Sequence, residues 1–103
     1  MDDAGLARVL KALADARRLR MVQDIAAAGE LSCGQVGDRF DLSQPTISHH
    51  LKLLVDAQVL IVRRDGSHGF LSVNQALLDQ VAAQLTPRPP RPAARRRAPR
   101  ASR

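Results

Sequence analysis

The chain has 103 residues, of which 45 % are hydrophobic and only two, Phe40 and Phe70, are aromatic, and its formal net charge is +6. That length suits one domain and is too short for two, and its core must be built from Leu, Val, Ile and Ala, which favours packed helices. No apolar run nears the roughly 18 residues that span a bilayer, and the acidic start is unlike a secretory signal, so a cytoplasmic protein is expected.

The single cysteine, Cys33, excludes an internal disulfide and a Cys-rich zinc module. The charge is unevenly placed. Residues 86–103 hold seven of the 16 basic residues and no acid, which leaves nine basic and ten acidic residues in 1–85, a net of −1. The basic balance therefore describes the C-terminal segment and not a DNA-binding surface on the remainder.

In chain order, Leu6, Val9, Leu10 and Leu13 recur at helical spacing and predict a helix over 5–14. Asp15 then caps a second helix with the stripe Leu19, Val22, Ile25 and Ala26, which stops at Gly29. Ser32 and Gln35 have the spacing of a capping box, so a short third helix is predicted from Ser32 to near Phe40, weakened by Gly34 and Gly37. Ser43 caps a fourth helix, with Pro45 in its first turn, that buries Ile47, Leu51, Leu54 and Val55. Two helices joined by a short turn, the second opened by a Ser cap and rich in polar side chains, make a helix-turn-helix.

Val59–Arg64 and Phe70–Val73 are β-rich runs with Asp65-Gly66-Ser67-His68-Gly69 between them, an antiparallel hairpin in the position of a wing. Asn74 caps a last helix with Leu77, Leu78, Val81 and Leu85 at helical spacing. Residues 86–103 contain five prolines and seven arginines and no large apolar residue, so this segment is expected to be disordered.

This order of elements, with LKALADARRLRMV and LSQPTISHHLKLLVDAQVL, resembles the ArsR (ArsR/SmtB) family of bacterial repressors over residues 5–85, most specifically in LSQPTISHHLKLL. The resemblance implies a mainly α, winged helix-turn-helix homodimer, joined through its first and last helices. It further implies a repressor that sits on an imperfect palindrome in double-stranded DNA and leaves when an inducer binds; the inducer itself is not identified by the sequence.

Base reading requires donors and acceptors that project from a rigid helix into the major groove, where each base pair shows a distinct pattern. Gln44, Thr46, Ser48 and His49 supply them, and the resemblance places Gln44, Ser48 and His49 at base-contacting positions. Phosphate or wing contacts are expected from Arg17, Arg18, Ser43, Lys52, Arg63, Arg64 and His68. Arg63 and Arg64 point to opposite sides of a strand, so at most one of them enters a given groove. The dimer seam is assigned to Leu6, Val9, Leu77, Leu78, Val81 and Leu85, which exceed what one small core absorbs.

Many members of the resembled family sense metals through a Cys-x-Cys on the third helix or through His and carboxylates on the last. Here Ser32 and Gly34 flank Cys33, and the last helix has neither His nor Cys, so no metal and no cofactor is expected. His49 and His50 point about 100 degrees apart and do not chelate one ion together. Cys33, in the first turn of a helix, is a possible thiol sensor or simply a small residue near a helix start. No phosphate loop, carboxylate pair or nucleophile with a spaced base argues for an enzyme. The open alternatives are a protein-interaction module on the same scaffold and a thiol-responsive regulator.

Overall fold

Two aspartates open the first two helices. In the structure, a computed structural model that describes residues 1–87, Asp2 accepts from the Gly5 amide at 2.8 Å and starts α1 (Asp3–Leu13). Asp15 accepts from the amides of Arg17 and Arg18 at 2.9 and 3.1 Å and starts α2 (Ala16–Ala28). Gly29 ends α2 at φ 85°, a conformation that glycine adopts without a Cβ penalty. The Arg/Pro-rich segment expected to be disordered falls, from residue 88 on, outside the described residues.

The second helix turns a different stripe inward from the one its sequence suggests. Met21, Val22 and Ile25 are buried, whereas Leu19 is 44 % exposed and Ala26 is exposed. Met21, fully buried in the core cluster, takes the inward place expected of Leu19, and its unbranched, flexible side chain suits an irregular core. The third helix, α3 (Cys33–Gly37), is shorter than expected, and Ser32 is its cap. The capping box is complete: the Gln35 amide donates to Ser32 Oγ at 3.1 Å, and the Ser32 amide donates to Gln35 Oε1 at 2.8 Å.

Just before it, Leu31–Ser32 forms β1, a short strand that the sequence reading leaves out. It joins the hairpin of β2 (Leu60–Asp65) and β3 (His68–Val73) to give an antiparallel sheet in the order β1-β3-β2, with Leu31 opposite Leu71 and Val62 opposite Leu71 from the other side. The hairpin turn is tighter than the expected loop: Asp65 pairs with His68, and Gly66 takes φ 63° as the first of two central residues.

Between them runs α4 (Gln44–Asp56), whose Ile47, Leu51 and Leu54 are buried together with Met21, Ile25, Val36, Val59, Leu60 and Leu71. Val55 is only half-buried against this core. The exit of α4 is unusual. Gln58 sits at φ 66° while its amide donates to the Val55 carbonyl and the Val59 amide to the Leu54 carbonyl, a helix-ending motif normally given to glycine. Asn74, which caps α5 (Gln75–Leu85) by accepting from the Leu77 amide, also donates through Nδ2 to the Gln58 carbonyl at 3.0 Å. One side chain thus ties the end of α4 to the start of α5.

Candidate nucleic-acid interface

Ser43 holds the start of α4, with its hydroxyl 2.8 Å from the Thr46 hydroxyl and 3.4 Å from the Thr46 amide. Thr46, expected among the base contacts, is accordingly half-buried and engaged in the cap. Buried Ile47, His50, Leu51 and Leu54 fix one side of the helix, which leaves Gln44, Ser48, His49 and Lys52 exposed on the other. Gln44, Ser48 and Lys52 are four apart and therefore form one line, with His49 beside it. Gln44 Oε1 rests over Gly37, where an added Cβ would come within 3.2 Å, so the glycine that weakens α3 also leaves room for this side chain. Lys52 pairs with Asp56 at 2.9 Å along the helix surface.

Arg18 contacts this helix from behind its polar line. Expected as a phosphate contact, it is half-buried and turned inward: Nε donates to the Ala12 carbonyl at 2.6 Å, and an Nη1 hydrogen is directed to His50 Nδ1 at 3.3 Å. A guanidinium only donates, so Nδ1 must accept and the neutral imidazole carries its proton on Nε2. His50 is 8 % exposed. Burial lowers its pKa below the ordinary histidine value, with the positive charges of Arg18, His49 and Arg17 acting in the same direction and Asp15 opposing them. The Asp15 carboxyl is itself held below its usual range, chiefly by the hydrogen bond from the Arg18 amide. His50 was legible in principle, since it follows Ile47 by three and so shares the core face of α4. Arg17, on the same turn of α2, is exposed.

The two wing arginines part as strand alternation requires. Arg63 makes two hydrogen bonds with the Glu30 carboxylate at 3.0 and 2.9 Å, and its guanidinium lies 4.6 Å from the centre of the Phe70 ring. That hydrogen bonding lowers the pKa of Glu30 and raises that of Arg63. Arg63 is therefore spent on fastening the hairpin to the segment before β1, which sequence reasoning missed because Glu30 gives no local sign of its partner. Arg64 points to the opposite face, across Gly69, and has no ion pair among the described residues. His68 is exposed near the wing tip.

Cys33 is a free, exposed thiol. It lines a groove of about 370 Å³ between α3 and the wing, with Arg64 and His68 on the other wall. Among the described residues no three His, Cys, Asp or Glu side chains are grouped to hold a metal ion. Of the residues expected at a dimer seam, Val9 and Val81 are only 3 % and 8 % exposed and belong to the protomer's own core. Leu6, Leu77 and Leu78 are half-buried, and Leu85 is 58 % exposed.

A capped helix with a fixed polar edge, placed after a short helix and before a hairpin, defines a winged helix-turn-helix DNA-binding protein. Residues 7–63 match the helix-turn-helix domain family. The arsenical resistance operon repressor of Staphylococcus aureus is 39 % identical over 80 residues, 78 % of this chain and 76 % of that one. The transcriptional repressor SdpR of Bacillus subtilis (strain 168) is 36 % identical over 70 residues, 68 % of this chain and 77 % of that one. The fold is also that of an ArsR-like transcriptional regulator from Rhodococcus sp. RHA1, with a TM-score of 0.73 and 26 % identity over 80 % of this chain and 76 % of that one. The chain belongs to the ArsR family of winged helix-turn-helix transcriptional regulators.

The Arg18–His50 contact has a pH signature. Because the folded-state pKa of His50 lies below its ordinary value of 6.5, the unfolded chain takes up the proton first. The stability this residue contributes is complete above pH 6.5 and is lost as pH falls from there through the lowered value. The His50 imidazole is expected to titrate by NMR with a midpoint below 6.5, and His50→Gln to flatten the fall in unfolding free energy on the acid side. An ordinary midpoint, or an unchanged acid limb in the variant, contradicts the assignment.

Proposed function

We propose that the protein represses transcription by binding a palindromic operator in double-stranded DNA as a homodimer, acting in the cytoplasm at the nucleoid. The observation that carries this reading is the exposed line of Gln44, Ser48 and Lys52 with His49 beside it, on a helix whose other side is locked in the core. Gln44, at the helix start, offers an amide suited to adenine, Ser48 and His49 add donors and acceptors, and Lys52 with Arg17 and the Ser43 end of the helix meets phosphate. Arg64 and His68 extend the contact from the wing, while Arg18 and Arg63 position these elements without touching DNA. The arginines of residues 86–103 add phosphate neutralisation without base choice, each phosphate engaged steepening the salt dependence by about 0.9 in logarithmic slope.

Dimerisation draws on the apolar side chains that α1 and α5 leave unfilled, Leu6, Leu77, Leu78 and Leu85; the residues before α1 are tied to α5 where Gln84 Nε2 donates to the Met1 carbonyl at 3.1 Å. A two-fold axis there sets two recognition helices about 34 Å apart, one turn of DNA, which is why the operator is palindromic. The exposed Cys33 beneath the wing supports a second reading, in which hydrogen peroxide oxidises the thiol to a sulfenic acid, itself being reduced to water, and the added oxygen crowds the groove against Arg64 and His68 and loosens the wing on DNA.

Two experiments check these roles. In fluorescence anisotropy, the operator duplex is expected to bind roughly 10³-fold or more tighter than a scrambled one. Gln44→Ala and His49→Ala should each cost about 1–3 kcal/mol on the operator and almost nothing on scrambled DNA. Equal losses on both duplexes contradict base reading, and weak, equal binding by the unmutated protein favours an interaction module. In sedimentation, Leu85→Asp is expected to yield a folded monomer with weakened operator affinity, because the side chain is 58 % exposed in the protomer. A variant that stays dimeric, or a monomer with full operator affinity, contradicts the seam.

A further inference from the structure

Beside the last turn of the recognition helix, where its polar line ends at Asp56, α1, α2 and α4 border a cleft of about 210 Å³ lined by Arg8, Lys11, Ala12, Arg18, Leu53, Asp56 and Ala57. Its floor is apolar, from Ala12, Leu53 and Ala57, and its rim is cationic. Among the described residues Arg8, Lys11 and Arg18 make no ion pair, whereas the one carboxylate, Asp56, is held by Lys52 at 2.9 Å. We propose that this cleft binds a small organic monocarboxylate, its apolar body on Ala12, Leu53 and Ala57 and its carboxylate between Arg8, Lys11 and Arg18.

Four features select that chemistry. The cationic rim calls for an anion, and the apolar floor disfavours inorganic phosphate or sulfate, which would leave it covered by nothing. Asp56 at the edge disfavours a second negative charge. The volume is below the roughly 300–1,000 Å³ of sites for drug-sized ligands, so the occupant has the size of benzoate or a short fatty acid. Arg18 connects the cleft to the DNA-reading side. Its guanidinium has five N–H groups, and the bonds to Ala12 and His50 use two of them, which leaves three to donate to a carboxylate. A carboxylate there neutralises the cation beside His50 and pulls on the group that seats α4. The meaning of the site as a control on DNA binding rests on the function proposed above; its occupancy does not, and is measured without DNA.

The test is an NMR titration of the full chain, labelled with ¹⁵N, against sodium benzoate, with benzyl alcohol as the neutral counterpart and sodium chloride at matched ionic strength. Benzoate is expected to give saturable shifts at the Ala12, Leu53 and Ala57 amides that the other two do not. It is also expected to raise the His50 titration midpoint, as loss of the neighbouring positive charge requires. The exposed pair Arg8→Gln with Lys11→Gln, its fold verified by the same spectrum, should weaken benzoate about tenfold or more. The proposal is overturned by shifts that do not saturate, by equal shifts with benzyl alcohol, by shifts confined to α5 and Met1, or by unchanged affinity in the double variant. A failed operator titration with intact benzoate binding would overturn the DNA-reading function and leave the site standing.

Discussion

One guanidinium ties the recognition helix, seated in the core by Ile47, Leu51 and Leu54, to α1 and α2. Arg18 follows the Asp15 cap, donates to the last turn of α1 at the Ala12 carbonyl, and reaches the His50 imidazole on α4. It therefore joins three helices at a point where apolar packing alone, being non-directional, would leave their relative rotation loosely specified. Hydrogen bonds add direction. The cost is a half-buried cation beside a buried ring, tolerable only while that ring is neutral and accepts at Nδ1. Structural demand and titration behaviour are thus the same fact about His50.

The wing is positioned by a different device with the same logic. A two-stranded hairpin is marginal on its own in water, and this one gains a third strand, β1, together with the Glu30–Arg63 pair and the Phe70 ring beneath it. Alternation along β2 then places Arg64 on the opposite face, free of carboxylate partners among the described residues. One arginine holds the element so that its neighbour can be offered. Placed together, the fixed edge of α4 and the fastened wing give a protein whose exposed polar edge and wing are both held in place by its own packing.

Much of this was legible in the sequence because it is local. The caps at Asp15, Ser32, Ser43 and Asn74 and the stop at Gly29 depend on residues within a turn of one another, and the structure has each of them. The fold class followed from their order, and the polar edge of α4 from its periodicity. What escaped is what depends on distant partners. Arg18 and Arg63 carry the signature of any surface arginine, and nothing near them in the chain announces His50 or Glu30. Leu31–Ser32 is too short to register as a strand until β3 lies beside it. Gln58 adopts a glycine conformation with no glycine to signal it, stabilised by a carbonyl contact from Asn74. Val9 and Val81 read as surplus apolar residues because helical spacing shows a stripe but not how much of it one protomer covers.

The claim that the Arg18–His50 contact seats the recognition helix is tested most directly by a double-mutant cycle in urea unfolding above pH 7, with Arg18→Met, His50→Leu and the pair. A coupling energy of about 0.5–3 kcal/mol is expected, as residues in direct contact show. Additivity within about 0.3 kcal/mol would mean that the two side chains act independently and that packing alone orients the helix.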